Sequence, residues 1–340
     1  MKIIGNFFGG VCAVLFVISG IVALLLFNIE RKAFSSESYK QAFEDQNLYD
    51  RMPGVLAAAL STSMTEGRNT NPLLGMLSTE DWETSIGALL PPEELKSMTN
   101  KALDSIFDYL NGRSDSAVVS LTSLKGYLTS DAGVDAIVQL LRKKPDCTTE
   151  QLLQIALGVL GGNEIVFCNP PDDVMGLVTP MIGTQLQFIT LSFPDEVTII
   201  SGEKSNTPDD PRIQITRVRK AMKLTLVFPI LFLLAVTIFA VRSLKEWLAW
   251  WGWSFTFTGG ISLLIALLGS SVIGFIIGLA MQNETYAFIP PILLTTMQET
   301  VREVARLILV PVAVEGLFLV LLGVGMAGVA IFLTRRKNAK

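Results

Sequence analysis

Residues Phe255 to Met281 read FTFTGGISLLIALLGSSVIGFIIGLAM, without one charged side chain. About 20 apolar residues in a helix cross the ~30 Å hydrocarbon core of a bilayer, so this run already assigns the chain to a membrane. Working outward, three more such runs occur: Ile3 to Phe27, Leu224 to Val241, and Leu307 to Leu333, the last broken only by Glu315. The sequence therefore predicts an α-helical integral membrane protein with four transmembrane helices. A mainly α-helical extracytoplasmic domain is inserted between helices 1 and 2. The expected divisions are 1–27 as an uncleaved anchor helix, 28–222 as the outer domain, and 223–340 as three spans (about 224–241, 255–281 and 307–333) with short loops and a basic cytoplasmic tail.

Composition narrows the function classes. Half of the 340 residues are hydrophobic, 17% are charged, and mean hydropathy is +0.48. Histidine is absent, which removes Ser-His-Asp and Cys-His catalysis and histidine-ligated zinc. Residues 28–222 carry a net charge of −9 against +5 for the remainder, so the chain is expected to bind no nucleic acid.

The first span is longer than the 7–15 apolar residues of a signal core, and the flank Asn28-Ile29-Glu30-Arg31-Lys32 offers no small-x-small cleavage site. Val11 before Cys12 rules out a lipoprotein cysteine. Orientation follows from short-segment Lys and Arg. Lys2, Arg242, Lys245, Arg335, Arg336, Lys337 and Lys340 stand against Arg302 and Arg306, which places both termini in the cytoplasm. The cluster Arg217, Arg219, Lys220 and Lys223 argues the other way, although long domains translocate largely regardless of charge.

Within 28–222, Cys147 and Cys168 are expected to form a disulfide outside the cytoplasm, two buried thiols being the alternative. They bracket a helical pattern from Thr148 to Leu160 that opens with a capping box, Thr148 with Gln151, and repeats at Leu152, Ile155, Ala156, Val159 and Leu160. Val134, Ile137, Val138 and Leu141 mark a second helix, and Pro91-Pro92-Glu93-Glu94 opens a third. Ala117–Leu121 and Glu196–Ile200 read as strands, Asn69–Pro72 and Ser201–Pro211 as loops. Adjacent carboxylates at Asp172-Asp173 and Asp209-Asp210 lack the alternating ligands and glycine of a calcium loop, so no metal or cofactor is expected.

In the membrane part, Ser262, Ala266, Ser270, Gly274 and Gly278 recur every four residues and predict a smooth helix-packing stripe. Glu315 is the one acid inside a span. Counting about 20 residues back from Arg335 puts it at the outer interface. Trp247, Trp250, Trp251 and Trp253 read as an interfacial belt in the linker before span three, and Pro229 and Pro311 as kinks or helix ends. The order of one span, a large outer domain and three spans resembles, in topology alone, the permease subunits of mechanotransmission ABC transporters. The chain departs from them in lacking room for an amphipathic helix before span one. The cysteine motifs of tetraspanin-like and claudin-like outer loops are missing. The expected function is non-enzymatic: a multi-pass protein of a bacterial cell membrane presenting an interaction or scaffold domain, its partners the lipid bilayer and other membrane or extracytoplasmic proteins. A permease-like transporter subunit is the alternative. A carboxylate-based hydrolase comes third.

Overall fold

A computed structural model describes residues 2–66, 79–153, 168–201, 211–281 and 291–338. Helix α1 (Lys2–Ala33) is followed by α2 (Ser36–Asp45), α3 (Leu48–Glu66), α4 (Thr79–Leu89) and α5 (Pro92–Leu110). Strand β1 (Ser116–Ser120), α6 (Thr122–Leu128), α7 (Asp131–Arg142), α8 (Asp172–Ser192) and strand β2 (Glu196–Ser201) come next. The chain then returns through α9 (Pro211–Leu224) to α10 (Val227–Ala240), α11 (Leu244–Met281) and α12 (Pro291–Asn338).

Local chemistry explains the elements between α1 and α9. Pro92 presets the first turn of α5, Glu93 and Glu94 favour its positive end, and Gly112 takes φ +72 just past its C-cap. In α7 the Ser130 hydroxyl accepts from the Gly133 N–H, and Gly133 is obligatory because a Cβ there would meet the Tyr127 carbonyl. The two strands pair antiparallel, with an irregularity between Ala117 and Val118, where the Val118 N–H donates to Ser105 Oγ at 2.8 Å. Thr148 and Gln151 form the capping box in both directions, at 2.8 and 3.3 Å. The rest of that expected helix (Ile155 to Leu160), the loop Asn69–Pro72 and nearly all of Ser201–Pro211 lie outside the described residues. Cys147 and Cys168 are bonded, with Cα atoms 4.9 Å apart and the Cys147 N–H donating to Asn169 O beside them.

Five helical stretches are long and apolar enough to cross a membrane: Ile4–Ala33, Asp172–Ser192, Arg212–Ala240, Leu244–Ala280 and Pro291–Arg335. The second of these, α8, is the one that the apolar runs of the sequence do not mark. The helix is interrupted at Thr225–Leu226, four and three residues before Pro229, whose ring crowds the carbonyl of residue 225 in an unbroken helix. Pro311 instead stays inside α12. Helices also run past the expected spans, because a charge that ends an apolar run need not end a helix. The tryptophans are accordingly not in a linker but on α11 itself, where Trp247 and Trp251 lie 4.7 Å apart and Trp251 Nε1 donates to Thr237 Oγ1 at 3.0 Å.

Candidate functional site

The scaffold of the site is the antiparallel pair α11–α12. Gly252, Gly259 and Ala266 are seven residues apart, as are Leu309, Gly316, Gly323 and Ala330 on the facing helix. Spacing by seven keeps one seam facing a partner over many turns. Backbones touch there: a Cβ on Gly252 would sit 2.8 Å from the Ala327 nitrogen, one on Gly323 2.6 Å from the Gly252 carbonyl, and one on Gly259 would collide with the Gly316 carbonyl. Of the stripe singled out in the sequence, Ser262, Ala266 and Gly274 are buried, while Ser270 and Gly278 are half-buried. Ala266 packs with Leu309 and Val312, but Gly274 and Gly278 lie under the side chains of Arg302 and Gln298 rather than against a backbone. Ser262 Oγ is buried without a hydrogen-bond partner among the described residues.

Helix α1 is laid along this pair. Gly5 and Gly9 admit the end of α10 at Phe239 and Ala240, Gly20 admits Thr258, and Leu25 reaches the Ala266–Leu309–Val312 cluster. Its next polar residues turn inward: Asn28 is 1% exposed and Glu30 4%. Asn28 Nδ2 donates to Glu315 Oε2 at 2.8 Å and to Leu24 O at 3.0 Å. Glu30 Oε1 accepts from Arg219 Nε at 3.0 Å and Nη2 at 2.6 Å, with Lys223 Nζ at 3.3 Å. Arg219 also donates to Asn111 Oδ1, its guanidinium lies over the Phe34 ring at 5.2 Å, and Asn111 Nδ2 donates to Phe34 O at 3.4 Å. Asn28 thus ties α1 to α12, while Glu30 two residues on ties it to α9 and, through Arg219, to Asn111 at the end of α5. A buried carboxylate tolerates this position because two cations and several hydrogen bonds satisfy it.

Beyond the junction, the first four turns of α12 are gripped by α2 and α3. Gln46 Nε2 donates to Glu299 O at 2.9 Å, Arg51 pairs with Glu299 at 2.8 Å, and Arg306 reaches Asp45 at 3.4 Å. Where α2 meets α5, burial would raise the Asp104 carboxyl, but hydrogen bonds from Lys40 and Ser36 outweigh it and hold it below its usual range. Tyr49 donates to Asn100 Oδ1 at 2.7 Å, and burial, aided by the Glu44 charge, pushes its phenol up to about 12.

The other expected residues stand apart. Asp172 and Asp173 occupy the first turn of α8, where helix dipoles favour acids, and Asp172 pairs with Arg142 at 3.3 Å. Cys12 is free, half-buried on α1. An apolar groove of about 390 Å³ between α1 and α11 is lined by residues such as Gly10, Val14, Trp253 and Phe257. Among the described residues, no three His, Cys, Asp or Glu side chains converge as metal ligands. Sequence reasoning misses Glu30 and Arg219 because their pairing spans 189 positions. A search at spacing seven instead of four would find the glycine seam.

The fold is that of an α-helical membrane protein, stapled by a disulfide between Cys147 and Cys168. No protein family, curated protein or solved structure matches the chain.

Proposed function

We propose that the chain spans the membrane four times, through α1, α10, α11 and α12, with both termini cytoplasmic. Residues 28–222 are then displayed outside a bacterial cytoplasmic membrane as a non-enzymatic interaction or scaffold domain. One observation carries this reading. Helices α11 and α12 have 38 and 48 residues, about 57 and 72 Å, roughly twice what a bilayer needs. The surplus of α12 carries Glu299, Arg302, Glu303 and Arg306, which suit water, and is held by Asp45, Gln46 and Arg51. A pillar of this kind supports display of a domain. Helix α8 belongs to that domain in this reading: its mean hydropathy is 1.3 against 2.3–2.8 for the other four, and it packs on α6 and α7.

The seven-to-two excess of short-segment basic residues supports the orientation. The opposing cluster is partly accounted for, since Arg219 and Lys223 are drawn to Glu30. In a Cys12→Ser background, Asp131→Cys should react with a membrane-impermeant maleimide in intact cells, and Lys245→Cys only after lysis. The reverse pattern overturns the reading, as does catalytic turnover by the purified chain. The permease-like alternative rests on the same firm link between pillar and domain. It requires a cytoplasmic ATPase bound at Arg242–Trp253, and its co-purification would favour that reading.

A further inference from the structure

Helix α9 carries five basic residues and no acid, and the structure sorts them into two sets. Arg212 turns to Asp115 at 3.1 Å, while Arg219 and Lys223 turn to Glu30. Arg217 and Lys220 are exposed and have no ion-pair or hydrogen-bond partner among the described residues. Val218 (48% exposed) and Leu224 (61%) are exposed on the same helix. Across Glu30, α1 adds exposed Arg31, whose guanidinium lies over the Phe27 ring at 5.5 Å, and half-buried Lys32.

Two turns further along the chain, past the break at Thr225–Leu226, the exposed surface is apolar, with Val227, Phe228, Ile230 and Leu231 all exposed on α10. Such a surface suits hydrocarbon, so cations about 10 Å above it stand at headgroup depth, within reach of a snorkelling Lys or Arg. Glu30 on the neighbouring α1 is buried and already bonded to Arg219 and Lys223, so its charge is taken up by those two cations. We propose that the open face of α9, through Arg217 and Lys220 and flanked by Arg31, binds the phosphate headgroups of anionic phospholipids. The inference rests on α1 and α10 crossing a bilayer, as proposed above, but not on a particular side of it. A reversed orientation would therefore leave it standing.

The test uses the purified full chain in detergent, titrated with phosphatidylglycerol or phosphatidylcholine, with bound lipid counted by native mass spectrometry. Phosphatidylglycerol should bind at least about tenfold more tightly, the preference shrinking as salt rises. Arg217→Gln/Lys220→Gln should abolish most of that preference without changing the melting temperature in phosphatidylcholine. Arg217→Lys/Lys220→Arg should restore it. Lys101→Gln/Lys143→Gln, an equal charge change away from α9, should leave it intact. Equal binding of the two lipids overturns the proposal. So does an unchanged preference in the α9 glutamine variant, or equal loss in the control pair, which would reduce the effect to net charge.

Discussion

Two stretches of the α11–α12 pair are held by different means. Around Gly252, Gly259, Gly316 and Gly323, backbone approaches backbone closely on both helices. Around Gly274 and Gly278, the glycines lie under Arg302 and Gln298, and Gln298 Nε2 donates to the Gly274 carbonyl at 3.0 Å. Hydrocarbon offers no hydrophobic drive between helices, so the first stretch relies on dispersion over a close approach. The second uses polar side chains that water tolerates. The same residue type thus serves two kinds of packing, divided near Ala266 and Leu309.

The sharpest way to break this comparison is leucine substitution in each stretch. Gly259→Leu drives carbon into the Gly316 carbonyl and should cost more than about 3 kcal/mol, beyond ordinary overpacking. Gly274→Leu meets the movable Arg302 side chain at 3.4 Å and should cost about 1 kcal/mol or less. Equal losses in detergent melting would erase the distinction. Next, Glu30→Gln weakens its bonds to Arg219 and Lys223 and should cost about 2 kcal/mol, whereas Glu315→Gln keeps an acceptor for Asn28 and should cost less than half of that. A larger effect at Glu315 would shift the junction's weight to the membrane side.

Ser262→Ala should raise stability by up to about 1 kcal/mol, since it removes a buried hydroxyl without a partner among the described residues. A clear destabilisation would show that the hydroxyl is engaged after all. The smallest effect is in acid. Asp104 has a lowered folded pKa, so its contribution is complete above about pH 4 and is lost as pH falls further. With its side chain 50% exposed the amount is under about 1 kcal/mol. Melting curves of Asp104→Asn and the parent chain should converge at low pH, and a gap that widened there would contradict the assignment. At the other extreme, raised Tyr49 stabilises below pH 10 and ceases to do so toward about 12.

What the sequence made legible were local features. The capping box at Thr148, the helix through Val134 and Leu141, the pair Cys147–Cys168 and both strands depend on neighbours within a turn or on residue type alone. Helix α8 escaped because Pro180, Gly176, Gly183 and the polar Gln185 and Gln187 break its apolar pattern. The junction escaped because nothing local distinguishes Glu30 from an ordinary flanking charge. Its burial comes from Arg219 and Lys223 arriving after a chain excursion of nearly two hundred residues. Period four drew attention to Gly274 and Gly278, yet the tight seam keeps period seven, since only that spacing follows a facing helix through many turns.

The length of the α11–α12 pair has a mechanical consequence. Two rods in backbone contact bend little, so they behave as a lever with its fulcrum in the bilayer. Helices answer a change in hydrocarbon thickness by tilting. A tilt of about 5° swings an arm of some 30 Å beyond the membrane by about 3 Å. With the pair crossing a bilayer as proposed, the ion pairs of Asp45 and Arg51 would hand that displacement to α2 and α3.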